Sequence, residues 1–437
     1  MSRAMKDSGH AWLGDIPAHW KVEKFKNLFQ IKKDIAGALG YDVLSVTQKG
    51  IKIKDITKNE GQLAQDYSKY QLVYPNDFVM NHMDLLTGYV DCSKQTGVTS
   101  PDYRTFKAID IDKTLDKYYL RIFQFCYTDA IFYKLGQGVS NFGRWRLPAD
   151  QQNSFLLPLP SKEEQLAIAD FLNIKCAEVD ELIALQEKMI DELKLYKQSV
   201  ITEAVTKGLN PDAPMRDSGI EWIVQIPEHW SIAPFKTIYK LTKGLTITKS
   251  DLVEDGIPVI SYGQIHSKLN TGTNINNYLI RYVPNTFLDN NVSSLVNEGD
   301  VIFADTSEDL EGCGNCIYID KEMTLFAGYH TIIAKNTAGL SNRYLAYLFK
   351  TDCWRYQLRT TVNGVKLFSI SQKLLAATNV ILPSATEQQT IADYLDQKCA
   401  EIDELSSIKQ QKIDELKEYR KSIIYEYVTG KKQVNIE

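Results

Sequence analysis

The sequence predicts an α+β protein built as an internal pseudo-twofold repeat: two similar α+β domains and two long helices that pack on each other as a coiled coil. Three observations carry the prediction. A helix of some forty residues is written twice, at 161–207 and 384–430, without a gap at an offset of 223 (Ser161 to Ser384). A short Trp- and Pro-bearing segment, DSGHAWLGDIPAHW at 7–20, returns as DSGIEWIVQIPEHW at 217–230, an offset of 210 (Asp7 to Asp217). Between segment and helix, each half alternates short β-type runs with turns and then becomes helical. Self-similarity on this scale dictates the architecture and outranks any local reading.

Each long helix opens with a Ser cap and an acidic residue three positions on, Ser161/Glu164 and Ser384/Glu387, the signature of a capping box. Apolar residues then recur nearer 3.5 than 3.6 apart. In the first helix Leu172, Val179, Leu193 and Val200 mark one core position, with Cys176, Ile183, Ile190 and Ala204 at the other. The second repeats this with Leu395, Ile402, Leu416 and Ile423, then Cys399, Ile413 and Tyr427. A seam of about five heptads is a coiled-coil seam, and two in one chain are most simply paired. Gln186 and Lys409 break the seams at matching places; a polar core residue either fixes register or lines a solvated slot. At ~1.5 Å per residue such a helix is a spacer of ~60 Å.

Composition bounds the rest. With 437 residues and 44% apolar content the chain buries several cores, so it divides into two to four domains. No apolar run reaches the 18 residues of a membrane span, and MSRAMKDSGHAW does not read as a signal peptide. Seven cysteines, two of them on helix seams (Cys176, Cys399), fit a reducing cytoplasm better than a disulfide framework. A net charge of −5 excludes a uniformly basic coat, but nucleic-acid binding depends on a local stripe, not the sum.

In chain order, residues 1–20 form a cap segment whose indoles anchor on a neighbour. His19 and His229, inside the repeat, read as polar residues of a docking turn rather than as ligands. Residues 21–160 form the first domain, with β-type runs at 41–46, 70–81, 88–94 and 104–110 and a helical stretch at 116–133. The first long helix (161–207) follows, then a linker and second cap (208–230). The second domain, 231–383, runs in the same order, with β-type runs at 257–264, 293–306, 314–320 and 329–335 and helix at 342–359. The second long helix is 384–430. Tyr119-Leu120 aligns with Tyr344-Leu345 and Gly138-Val139 with Gly364-Val365, whereas side chains elsewhere differ widely. One scaffold carries two contents.

Catalytic signatures are weak. GQGVSNFG at 136–143 is not G-x-G-x-x-G and follows a helix rather than a strand. No Walker lysine loop occurs. NHMD at 81–84 lacks the prolines of an amino-methyltransferase motif, and Cys313-Gly-Asn-Cys316 is a lone C-x-x-C without two further ligands nearby. No metal site and no catalytic residue is expected.

Two stretches, EQ-x-x-IA-D-[FY]-L-x-x-K-C-A-E-[IV]-D-E-L at 164–182 and 387–405 and IP-x-HW at 16–20 and 226–230, together with the tracts Gly136–Leu147 and Gly299–Ser307, carry a resemblance. Over essentially its whole length the chain resembles the specificity subunit of a type I restriction–modification system. The resemblance implies two target-recognition domains, each reading one half of a split DNA target, and an antiparallel coiled coil between them. It implies a non-catalytic, cytoplasmic, nucleoid-associated chain. Two methyltransferase subunits would dock on its helical part and two restriction subunits would join. S-adenosylmethionine, ATP and Mg would be used by those partners, with no cofactor on this chain.

Elementary physics agrees: two similar domains on a ~60 Å strut make a caliper, and ~60 Å of B-form DNA is ~17 base pairs. Base discrimination wants Arg or Lys for guanine, Asn or Gln for adenine and acidic groups for cytosine, on exposed loops. The first domain offers Asn81, His82 and Lys94, then Gln137, Ser140, Asn141, Arg144 and Arg146; the second offers Gln264, His266, Lys268, Thr306, Ser307, Asn363 and Lys366. Lys94 and Lys268 suit phosphates, which position without specifying. Other readings stay open: a coiled-coil scaffold whose Tyr-rich domains bind proteins, favoured by the acidic net charge, and a specificity chain serving a methyltransferase alone.

Overall fold

The computed structural model describes residues 3–55, 66–138, 145–339, 342–362, 364 and 367–434. Two compact units emerge: Met1–Lys188 with Gln410–Glu437, and Met189–Lys409. Each long helix, Lys162–Lys207 and Ala385–Val428, is shared between them. At ~1.5 Å per residue these helices are about 69 and 66 Å long.

Within the first unit a four-stranded antiparallel sheet runs in the order Phe29–Lys32, Arg104–Ala108, Phe78–Met80, Val90–Cys92. The helix Asp116–Thr128 covers it, and Phe25, Phe29, Phe78, Phe106 and Phe123 pack ring against ring at the centre. The second unit repeats the order with Tyr239–Lys243, Thr331–Asn336, Val301–Ala304 and Cys316–Tyr318. It adds a second four-stranded sheet in which Ile257–Ile260 lies parallel to Leu325–Ala327.

The helices are antiparallel and pair along the expected seam. In the first unit Phe171 packs on Tyr427 (centroids 4.4 Å apart) and, two turns on, Asp180 meets Arg420 at 2.8 Å. In the second unit Lys197 meets Asp403 at 2.6 Å, while Ile201, Ala204 and Val205 share a cluster with Ile391, Leu395 and Cys399. Leu172, Val179, Leu395, Ile402, Ile413 and Ile423 are buried; Ile190, Leu193, Val200 and Leu416 are half-buried.

The cap repeats have a specific task. Each forms a hairpin, Met5–Asp7 with Asp15–Pro17 and Met215–Ile220 with Ile223–Pro227. Each then delivers a buried indole to the capping-box glutamate of a long helix. Trp20 Nε1 donates to Glu164 Oε2 and Trp230 Nε1 to Glu387 Oε1, both at 3.0 Å. His19 Nε2 lies 3.1 Å from Glu164 Oε1 and His229 Nε2 2.9 Å from Glu387 Oε2. Both histidines are docking residues, as the repeat implied.

Three expectations need correction. The run 257–264 is a strand only to Ile260; Ser261 caps a helical turn, Tyr262–Ile265, with Gln264 closing the capping box. The helical stretch 116–133 breaks at Asp129–Ala130, where Ala130 adopts a positive φ of 54°. The stretch 342–359 breaks at Thr351, whose side chain caps the helix Asp352–Arg359. In each case a local hydrogen-bonding residue or an αL residue ended a pattern that hydrophobicity alone continued.

Candidate nucleic-acid interface

In the first unit the turn after strand Phe78–Met80 and the stem of the loop that follows the helices lie together. His82 O accepts from Leu147 N at 2.9 Å, and Leu85 N donates to Trp145 O at 3.3 Å. Gln137 and Arg146 face each other as a two-residue bridge with backbone bonds of 2.8 and 3.0 Å, and both side chains are exposed. Trp145 underpins this stem, its Nε1 donating to Tyr133 O at 2.7 Å. Gly136 is required there: a Cβ would sit 2.3 Å from that indole nitrogen. The structure therefore gathers Asn81, His82, Gln137 and Arg146 on one face. Ser140, Asn141 and Arg144, and in the second unit Asn363 and Lys366, lie outside the described residues.

Charge on this face is tuned by burial. Burial pushes His82 down to about 4, with the guanidinium groups of Arg104 and Arg146 adding to the shift, so the ring is neutral at pH 7. Its Nδ1 is buried and has no hydrogen-bond partner among the described residues. Asn81 spends its Oδ1 on Met83 N at 3.3 Å. Arg104, absent from the sequence-based candidates, anchors the exit of the loop by donating to Leu147 O at 3.1 Å and Gln152 Oε1 at 2.5 Å. Lys94 does not join the group. It is exposed in the turn whose Ser93 bonds to Asn76 and Asp77, at the opposite end of strand Phe78–Met80.

The second unit has the same wiring. Asp305 O accepts from Ile370 N at 2.7 Å, as His82 O does from Leu147 N. Beyond that the side chains diverge. Thr306 and Ser307 form a two-residue strand paired with Phe368–Ser369 and are buried; their hydroxyls bond Asp305 Oδ1 and Asp309 O, both at 2.7 Å. His266 is held at both ring nitrogens, with Nε2 on Thr306 O at 2.8 Å and Nδ1 on the Asn315 amide at 3.0 Å. Gln264 Oε1 accepts from Ser261 N at 3.0 Å. These four build the wall of the face, while Lys268 is exposed beside them. What sequence reasoning missed is a cluster at the rim, Tyr262, Tyr329, His330 and Asp305, with ring centroids 5.4–5.8 Å apart among the first three. Its members are scattered along the chain, so only the fold assembles them.

Among the described residues no three His, Cys, Asp or Glu side chains are placed to hold a metal ion. Cys313 and Cys316 are buried thiols, and burial pushes Cys316 up to about 11. No helix among the described residues is long and apolar enough to cross a membrane.

Two stretches of the chain, 17–195 and 227–418, match the family model of the type I restriction modification DNA specificity domain. The chain belongs to this family. The two matched copies start at Pro17 and Pro227, within the IP-x-HW repeats, and end at equivalent positions of the two long helices. Among curated relatives of this specificity chain, the type I restriction enzyme MjaVIII specificity subunit of Methanocaldococcus jannaschii is 24% identical over 64% of the chain. The EcoKI specificity subunit of Escherichia coli K12 is 22% identical over 47%. The matches span 62% and 44% of those relatives' own lengths. A solved chain from work on complex assembly and conformational transition of the type I R-M system superposes with a TM-score of 0.70. It covers 94% of this chain and 98% of its own at 13% identity, a likeness of fold.

Proposed function

We propose that this specificity chain reads an asymmetric, bipartite double-stranded DNA target, one half-site per domain, and directs two methyltransferase and two restriction subunits to it without catalysing a reaction itself. The supporting observation is the pair of equivalent faces, each a strand-end turn tied to a variable loop, bearing unlike side chains: Asn81, His82, Gln137 and Arg146 in one unit, Asp305, Lys268 and the His266 wall in the other. Like scaffolds with unlike polar rims read unlike base edges. The long helices set the distance between half-sites. Their exposed apolar residues, Leu182 and Leu185 in one unit and Leu405 and Ile408 in the other, suit docking of methyltransferase subunits. S-adenosylmethionine, ATP and Mg belong to the partner subunits, and the assembly works on the prokaryotic nucleoid.

The test is to express the chain with its neighbouring methyltransferase and map methylated adenines across the host genome. A single split motif with two unlike halves is expected. A complex that forms yet methylates no defined motif refutes the reading.

A further inference from the structure

Resting on that reading, the inference concerns what the second domain recognises. In the second unit a cleft of about 590 Å³ opens beside the end of strand Val301–Ala304, lined among others by Lys243, Asp305, Tyr329, His330, Gln372 and Lys373. Lys243 and Lys373 are exposed at its margins. Among the described residues that line it, Asp305 is the single carboxylate. It is held rather than loose: its backbone N–H donates to His330 O at 3.1 Å, and its Oδ1 accepts from Thr306 Oγ1 at 2.7 Å and His330 Nδ1 at 3.1 Å. The second oxygen, Oδ2, has no hydrogen-bond partner among the described residues.

His330 adds an independent sign. It is a non-glycine residue at a positive φ of 53°, more than half exposed, and packed against Tyr262 and Tyr329. A left-handed side-chain-bearing residue persists only where its surroundings over-determine it, and such residues cluster at ligand-contacting sites. Here the surroundings are the Asp305 bonds and the two tyrosines.

We infer that Asp305 is a specificity-determining residue of the second domain, whose free oxygen accepts a hydrogen bond from the exocyclic amino group of a cytosine, with Lys243 and Lys373 neutralising flanking phosphates. The choice of base follows from groove chemistry. Cytosine presents an amino donor with no acceptor of its own beside it. Adenine sets its N7 acceptor next to the amino group, and guanine and thymine present acceptors where a carboxylate needs a donor. A preorganised anion with one spare oxygen accepts from the cytosine amino group unopposed, meets a competing N7 acceptor beside the adenine amino group, and faces only acceptors on guanine and thymine. The two lysines supply attraction that is indifferent to sequence.

The experiment uses the chain co-expressed with its partner methyltransferase, wild type against Asp305→Asn, with genome-wide mapping of methylated adenines. Exchanging residues 231–383 first identifies which half-site that domain reads. Asparagine keeps an oxygen for Thr306 and His330, so the fold is retained; thermal unfolding of the variant checks this. The expected result is loss of cytosine preference at one position of that half-site by about 5- to 150-fold, the equivalent of about 1–3 kcal/mol at 1.36 kcal/mol per decade, with every other position unchanged. Asp305→Glu, which keeps the charge, retains cytosine at reduced efficiency. Lys243→Ala and Lys373→Ala lower methylation on all targets without altering the motif. An unchanged motif in Asp305→Asn, a change in the other half-site, or a uniform loss at every position overturns the inference and leaves the bipartite reading standing. Absence of a split motif with the wild-type chain overturns both.

Discussion

Replacing Glu387 by alanine should uncouple the second cap from the helix it holds. The carboxylate accepts from the Trp230 indole at 3.0 Å and from His229 at 2.9 Å, and sits in the first turn of Ala385–Val428. Removing it forfeits an anion at a helix N-terminus, worth about 0.3–1 kcal/mol. It also leaves the indole N–H of a residue only 2% exposed without an acceptor, at about 1–3 kcal/mol. The total is about 1.3–4 kcal/mol. In a unit of this size each kcal/mol moves Tm by about 2–4 °C, so a drop of about 3–16 °C is expected. Thermal unfolding followed by tryptophan emission reads it. A double-mutant cycle with Trp230→Phe isolates the contact: phenylalanine keeps most of the ring but has no N–H to orphan, so the two substitutions together should cost at least 1 kcal/mol less than their sum. Additivity within about 0.5 kcal/mol would show that the indole and carboxylate do not act together, and would refute the assignment of the Trp repeat as a clamp on the helix start.

Gly136→Ala should push Trp145 off its perch, since the new Cβ lies 2.3 Å from Nε1; methylation mapping should show weaker discrimination in the first half-site alone. The pH dependence of the first unit follows from His82. Its folded value is lowered to about 4 from the ordinary 6.5, so between those values the unfolded chain takes up a proton that the folded chain refuses. Its stabilisation is full above about 6.5 and is lost as pH falls toward 4. Tm measured across that window should fall less steeply in His82→Asn. A four-residue insertion between Glu178 and Ile201, matched by one in the antiparallel partner stretch, adds about 6 Å of helix and should change the spacer between half-sites; an unchanged spacer refutes the caliper. Exchange of residues 21–160 for another such domain should change one half-site and leave the other.

The elements most legible in the sequence were those written twice. Glu164 and Glu387, Trp20 and Trp230, and the seam residues Leu172 and Leu395 could be checked against their own copies, and each occupies the expected place. The recognition faces had no such check. Asp305 and His330 are 25 residues apart and meet only because Thr331–Asn336 pairs antiparallel with Val301–Ala304. Thr306 and Ser307 look like surface polar residues in sequence, yet pairing with Phe368–Ser369 buries them. His266 offers a similar lesson, because Asn315 and Thr306 occupy both of its nitrogens. Residue type proposes a reader; only tertiary wiring decides which polar atoms remain free.

The division of the chain between units has a consequence for biosynthesis. The first unit needs Gln410–Glu437, whose Ile423, Ile424 and Val428 lie in the same core as Trp20 and Phe123. At a ribosomal rate of about 5–20 residues per second, the stretch from Lys188 to Gln410 takes on the order of ten to forty seconds to synthesise. Throughout that interval the N-terminal domain has emerged with part of its apolar interior uncovered, awaiting the last helical turns. The second unit, Met189–Lys409, is continuous in sequence and can close first. With its core divided in this way, the nascent N-terminal half is the stage at which a holding chaperone has most to protect.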